Sequence, residues 1–194
     1  MDSVGTRQSV MIDAVWPAAG GWRDVALILG GSLLIALAAQ VQVLLPFSPV
    51  PLTAQTFAVL LLGTLYGSRR GPTTVVTYLT LGAIGLPVFA GGGAGVARLV
   101  GPTAGYLVGF VAAAFAIGTL SEKGWDRRPF TAAASMIIGN AIIYAIGAVW
   151  LSRFISWEAV LGAGVIPFLP GDALKIVLAT IMLPLGWKII GRAA

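Results

Sequence analysis

Asp172 and Lys175 stand three residues apart in the stretch FLPGDALKIVLA, residues 168–179, and the apolar run continues through TIMLPLGW. On a helix, residues three apart share a face, so a carboxylate and an ammonium can partly neutralise one another there. Asp172 also falls near the expected start of that helix, where the backbone dipole favours an anion. The surrounding residues are those of a membrane span, and a charge at bilayer depth costs about 3 kcal/mol on insertion scales. A capping residue with an intrahelical ion pair is one reading. The other turns both groups into a cavity, where they bind a polar solute. The second is favoured, because the cost of inserting the charges needs an offset that ligand binding can supply.

Other polar residues gather at the same depth. Gln40 and Gln42 lie near the outer end of the first expected span, and Thr53 and Gln55 at the outer start of the second. Tyr106 is near the outer end of the fourth span, and Asn140 and Tyr144 run from the middle of the fifth outward. Tyr78 lies deeper, near the middle of the third. The inner half offers mainly threonines and serines. This bias is that of a solute site open to the exterior. On a helix, Gln40 and Gln42 would occupy nearly opposite faces, so at most one is expected to face a given cavity. Asn140 can equally serve as interhelical glue.

Several chemistries are excluded. The chain has no cysteine and no histidine, so disulfides, thiolate nucleophiles, histidine-ligated metals and Ser-His-Asp catalysis are absent. There is no G-x-x-x-x-G-K-[ST] phosphate loop, and GGGAG lacks the spacing of a dinucleotide fingerprint. No G-x-S-x-G or H-E-x-x-H occurs either.

The elements that must position these groups follow from composition. Of 194 residues, 58% are hydrophobic and only 10% charged, against about 25% charged in an ordinary soluble domain. The chain therefore reads as an all-α, polytopic membrane protein. Six spans are expected at 24–45, 53–66, 72–87, 102–120, 130–151 and 171–190, following a cytoplasmic or interfacial tail (1–23) and preceding a short C-terminal tail (191–194). Pro72, Pro102, Pro129 and Pro170 are expected at span openings, where a missing N–H costs little. The second and third spans are short for a hydrocarbon core of about 30 Å. Either ordered flanking loops or a protein-lined cavity meets their ends, or the spans run a few residues further than these bounds.

Charge orients the bundle. With the N-terminus inside, Arg7, Arg23, Arg69, Arg70, Lys123, Arg127, Arg128, Lys188 and Arg192 all fall on the inner side, and only Arg98 and Arg153 on the outer. That asymmetry puts both termini in the cytoplasm and accounts for the net charge of +5 without any nucleic-acid partner. Trp16, Trp22, Trp125, Trp150, Trp157 and Trp187 lie near span ends or in loops, as an interfacial belt requires. The outer connections are a proline-stiffened LPFSPVPLT, a glycine-rich VFAGGGAGVARLVG and a long SRFISWEAVLGAGVIPFLPG with an apolar stretch suited to the interface. Ala26/Gly30 and Ser32/Ala36 are small-x-x-x-small pairs that let another helix approach closely.

Four segments in unbroken order, PVPLTAQTFAVLLLGTLYGSRRG, YLTLGAIGLPVFAGGGAG, GPTAGYLVGF and PGDALKIVLA, resemble the BioY family over residues 24–190. Its members are biotin-binding S-components of energy-coupling factor (ECF) transporters. The resemblance implies six membrane helices and a high-affinity site near the outer surface, closed over by outer loops. It also implies partners: a transmembrane coupling protein, contacted through small residues of the first helix such as Ala26, Gly30, Ser32 and Ala36, and a pair of ATPase subunits. The family's acid and lysine in the last helix match Asp172 and Lys175, and its glutamine early in the second helix matches Gln55. A carboxylate accepts well from ureido N–H groups, and an ammonium pairs with the valerate carboxylate; standing one turn apart, Asp172 and Lys175 can equally hold the same end. Phe89, Tyr106 and Tyr144 are candidates for the apolar walls that the bicyclic ring and tail need. One departure is Gly91, where relatives often carry an asparagine, so a hydrogen-bond donor is missing or replaced there.

The expectation is thus a biotin-uptake subunit of the bacterial inner membrane, not an enzyme, with no cofactor and biotin as its transported ligand. Its rivals are an S-component for another vitamin, a stand-alone secondary transporter using Asp172 for proton coupling, and a membrane enzyme with a lipid-phase substrate.

Overall fold

The computed structural model of the chain describes residues 9–17 and 21–193. Arg7 and most of the expected N-terminal tail lie outside them. A short helix α1 (Met11–Val15) precedes α2 (Gly21–Gln40), α3 (Gln55–Ala83), α4 (Ala104–Ser121), α5 (Pro129–Leu151), α6 (Trp157–Gly164) and α7 (Leu169–Ala193). Two short strands, β1 (Gln42–Val43) and β2 (Leu52–Thr53), pair antiparallel on the outer side, with Gln42 opposite Thr53.

Helix α3 is two membrane spans in one stretch. A straight helix would separate Gln55 and Tyr78 by about 34 Å at 1.5 Å per residue, yet the Gln55 amide donates to the Tyr78 hydroxyl at 2.7 Å. The chain folds back at Gly67, whose φ of 81° and ψ of −176° no helix contains. Only glycine adopts that geometry without a steric penalty. Beside the turn, a Cβ on Gly71 would fall 2.9 Å from the Gly63 Cα. The two arms, 55–66 and 68–83, therefore touch backbone to backbone, the close approach that small residues permit in a bilayer. The expected inner loop at 67–71 is thus a tight hairpin, and Pro72 lies within the second arm rather than opening it.

Among the described residues, four stretches are long and apolar enough to cross a bilayer alone: Gly21–Gln40, Ala104–Ser121, Pro129–Leu151 and the run Trp157–Gly191 across α6 and α7. With the two arms of α3 they make an all-α bundle of six transmembrane helices. Large apolar side chains such as Leu33, Leu37, Leu174 and Ile181 point outward, as lipid-facing positions should. The first arm is short because its outer end does not meet lipid headgroups: it starts at buried Gln55, beneath the β1–β2 ribbon. The first span is shorter than expected. Its helix ends at Gln40, and Gln42 and Val43 are in β1.

On the inner side, buried Arg23 donates to Asp13 at 2.9 Å, and Arg70 contacts both Asp13 and Asp24 at 2.9 Å. This network fastens α1 and α2 to the hairpin turn. The two small-residue pairs of α2 part company. Ala26 and Gly30 are exposed, and a Cβ on Gly30 would meet nothing within 4 Å. Ser32 and Ala36 are buried, with the Ser32 hydroxyl donating to the Thr74 carbonyl at 2.9 Å. The expectation that Ser32 and Ala36 contact a partner is therefore corrected: the second arm of α3 already occupies that face.

Candidate ligand-binding site

The outer half of the bundle encloses a cavity of about 710 Å3, its open mouth included. Helix α7 supplies Asp172 and Lys175, α5 supplies Tyr144, and the two arms of α3 supply Gln55, Thr56 and Tyr78. Helix α4 contributes Tyr106 and Phe110, and the glycine loop contributes Phe89 and Ala90. The site thus draws on most elements of the bundle, as it must if helices alone are to surround a solute.

The polar floor is bonded to itself. Lys175 Nζ donates to Asp172 Oδ1 at 3.0 Å, to Thr56 Oγ1 at 2.6 Å and to the Thr53 carbonyl at 3.0 Å. An ammonium has three N–H groups, and all three have acceptors here. Asp172 is 3% exposed. Its Oδ2 accepts from the Tyr144 hydroxyl in a short hydrogen bond, and Oδ1 also faces Thr56 Oγ1 at 3.5 Å. A cation and two hydroxyls thus offset the burial of the carboxylate, which is what a charge out of water requires.

Beside the floor, Gln55 links β2 to the second arm of α3. Its backbone N–H donates to Thr53 Oγ1 at 3.3 Å, and its side chain bonds to Tyr78. Tyr78 is fully buried and meets the Phe89 ring edge-on, with centroids 5.5 Å apart. Tyr106 contributes its ring, because its hydroxyl already donates to the Gly164 carbonyl at 2.8 Å. Tyr144 and Phe168 lie 6.4 Å apart across the opposite wall.

Eight residues singled out from the sequence, Thr53, Gln55, Tyr78, Phe89, Tyr106, Tyr144, Asp172 and Lys175, line this one cavity. Asn140 and Gly91 do not. Asn140 is buried one helical turn deeper than Tyr144, and its Oδ1 meets no donor. Gly91 has a φ of 67°, and a Cβ there would lie 2.8 Å from the Gln42 amide nitrogen. Sequence reasoning missed Thr56 and Phe168 as lining residues, and above all Arg98. Arg98 is exposed, lines the cavity, and makes no ion pair among the described residues. Its Nε lies 2.8 Å from where a Cβ on Gly93 would be. The signal was present: of the two outer-side cations, it alone sits in the glycine-rich connection. No group of acidic side chains able to hold a metal ion occurs among the described residues.

Residues 8–192 match the BioY family model. The biotin transporter BioY of Thermotoga maritima is 39% identical, the alignment covering 80% of this chain and 92% of the relative. That of Rhizobium etli is 38% identical, with 82% and 90% covered. A probable biotin transporter BioY of Pyrococcus horikoshii is 36% identical, with 82% and 93% covered. Among solved structures, the S-component for biotin from an ECF-type ABC transporter superposes with a TM-score of 0.76 at 26% identity, covering 88% of this chain and 95% of that one. Motif order, bundle and cavity agree with the family match along nearly the whole length, and the chain belongs to the BioY family.

Proposed function

We propose that this protein captures biotin from the outer side of the bacterial inner membrane, as the S-component of an ECF-type transporter. The observation that carries the reading is a cavity with apolar walls and two different polar ends. One end is the floor built on Asp172, Lys175, Tyr144 and Thr56, and the other is Arg98, which has no ion pair among the described residues and lies nearer the exterior. Biotin is polarised in the same way. Its ureido group offers two N–H donors and a carbonyl acceptor, and its valerate chain ends in a carboxylate.

The floor suits the ureido end. The Asp172 carboxylate, which keeps lone pairs beyond those its present partners use, accepts a ureido N–H. A carboxylate fits poorly there, because all three N–H groups of Lys175 are engaged and Asp172 would repel it. Arg98 takes the carboxylate instead, with a fork of donors matched to it. Phe89, Tyr106 and Tyr144 cover the bicyclic ring and the tail. Because both Asp172 oxygens are engaged within the protein, a role as proton carrier is disfavoured. The exposed Ala26/Gly30 face of α2 is the surface for the transmembrane coupling protein, whose ATPase partners supply the energy.

Calorimetry on the purified, ligand-free protein tests the reading, with riboflavin and thiamine as controls. Tight one-to-one binding of biotin alone is expected, and no binding by folded protein refutes it. Arg98→Gln should weaken biotin by about 10- to 100-fold, the worth of a charged hydrogen bond. It should leave the neutral amide of biotin almost unchanged. Equal losses for both ligands would remove Arg98 from the carboxylate.

A further inference from the structure

The glycine loop that carries Phe89 and Ala90 closes mostly on itself. The Phe89 N–H donates to the Gly93 carbonyl at 3.0 Å, and the Gly93 N–H returns to Ala90 at 3.4 Å. Gly91 and Gly92 both have positive φ. Such a loop is costly to hold in one conformation, because glycine loses the most backbone freedom on ordering. Among the described residues, every hydrogen bond joining 88–93 to another element runs to one side chain, that of Gln40. Its Nε2 donates to the Phe89 carbonyl at 3.2 Å and faces the Val88 carbonyl at 3.4 Å, and its Oε1 accepts from the Gly92 N–H at 3.0 Å. A third donor contact, to Ala36 on its own helix at 3.0 Å, fixes the amide's orientation.

Gln40 is well placed to hold that loop. It is the last residue of α2, anchored by buried Ile35, Ala36 and Ala39. It is itself exposed and does not line the cavity, so it cannot serve by touching a ligand. What it holds does line the cavity. Phe89 packs on Tyr78 and over Gly82, where a Cβ would meet the ring at 2.1 Å, and Arg98 follows a few residues on. Gln40 and Gln42 do not lie on one helix, because α2 ends between them, and neither lines the cavity. Both glutamines reach the same loop, Gln42 beside Gly91.

We propose that Gln40 is a positioning residue, a two-ended clasp that keeps the glycine loop closed over the cavity and so sets how long a ligand stays. The ligand in this statement rests on the biotin reading; the clasp itself does not. The decisive variant is Gln40→Met, which keeps length and packing but removes the donor and the acceptor. Gln40→Glu is the companion, keeping an acceptor for Gly92 and losing the donors to Val88 and Phe89.

The full-length protein is loaded with radiolabelled biotin, and its release and capture rates are measured. Gln40→Met should release biotin about tenfold faster, as expected for the loss of two or three hydrogen bonds, with capture unchanged or faster. Gln40→Glu should fall between it and the native protein. A second arm needs no ligand. Because the chain has no cysteine, Ala90→Cys provides a single thiol in the loop, and Gln40→Met should speed its labelling by a maleimide about tenfold. Unchanged release and unchanged labelling overturn the clasp. If the native protein binds no biotin, the labelling arm still decides: acceleration keeps the clasp and discards only the ligand, and no acceleration discards the clasp. A slower capture with unaltered release would also overturn it, since that marks a distorted site rather than an opened loop.

Discussion

The Asp172–Lys175 pair can be separated into its structural and its binding roles by a double-mutant cycle. At 3.0 Å and an effective dielectric of about 20, the attraction is about 5 kcal/mol before desolvation is charged against it. Removing one member of a buried pair costs about 3–5 kcal/mol, mostly because the other is left uncompensated. Here the lower end applies, since Lys175 is 19% exposed and keeps Thr53 and Thr56 as acceptors. Asp172→Asn or Lys175→Met alone should therefore lower stability by about 3 kcal/mol, or about 6–12 °C in melting temperature for a chain of this size. The double variant strands no charge. It leaves chiefly the Thr53 carbonyl without its donor, so its loss should be about 1–2 kcal/mol, far below the sum of the singles. Ligand binding should not recover with it, because the carboxylate proposed to accept the ureido N–H and the ammonium that orients it are then gone. The assay pairs thermal unfolding in detergent, without ligand, with calorimetry on the same samples. A double variant that binds biotin like the native protein would show that the pair is only scaffolding. Additive stability losses would show that the two charges do not feel each other.

Other expectations follow from the packing. Gly71→Ala drives a methyl to 2.9 Å from the Gly63 Cα and should cost about 1–3 kcal/mol, read as a lower melting temperature. Gly30→Ala meets nothing and should leave the melt unchanged, whereas the bulkier Gly30→Leu should reduce copurification of the coupling protein and spare biotin binding by the free subunit. Asp126, in the inner turn Trp125–Arg127, is 1% exposed, and burial raises its pKa above the ordinary 3.8 although the Trp187 indole N–H, donating at 2.7 Å, pulls it down. A raised acid pKa gives stability below its unfolded value that is lost as pH rises through the folded value. Asp126→Asn, which keeps an acceptor for Trp187, should thus melt higher than the native protein at pH 7, with the difference fading as the pH falls below about 4.

Much of the bundle was legible because bilayer constraints write themselves into composition. Helices α4, α5 and α7 begin and end within a few residues of the expected spans, and Pro129 opens α5 as anticipated. The misreadings have local causes. VQVLL after Gln40 is as apolar as the helix before it, so hydropathy alone ran the first span through β1. The hairpin turn at Gly67 reads as a loop in the sequence because Ser68, Arg69 and Arg70 are as polar as one, although they belong to the second arm. In the site, Asp172, Lys175, Gln55 and Tyr144 were reachable by depth, since polar groups in a span are costly and therefore informative. Depth does not resolve the last turn of a helix. Asn140 shares a face with Tyr144, yet lies a turn below the floor. Arg98 was counted only as a topological charge because a loop has no periodicity from which its direction could be read.

That miss changes the meaning of the pair that first drew notice. On sequence spacing alone, Lys175 could meet either end of biotin, since two groups one turn apart can hold the same end. In the structure its three N–H groups end on Asp172, Thr56 and Thr53, so the floor presents a balanced polar patch and not a free positive charge. Such a patch selects neutral, doubly hydrogen-bonding groups and resists anions, because an arriving carboxylate must displace an existing acceptor beside Asp172. The cavity-lining cation without an ion pair among the described residues is Arg98, a few residues beyond the segment 88–93 that Gln40 holds. On the proposed reading, capture of an amphiphilic acid has two steps. Its anionic end is steered by an exposed guanidinium, and its neutral end is recognised only once it reaches the floor. Rising salt should accordingly slow capture, since it screens the exposed Arg98, and should leave release nearly unchanged, since the floor contacts are sheltered. A salt effect confined to release would reverse the assignment and return the carboxylate to Lys175.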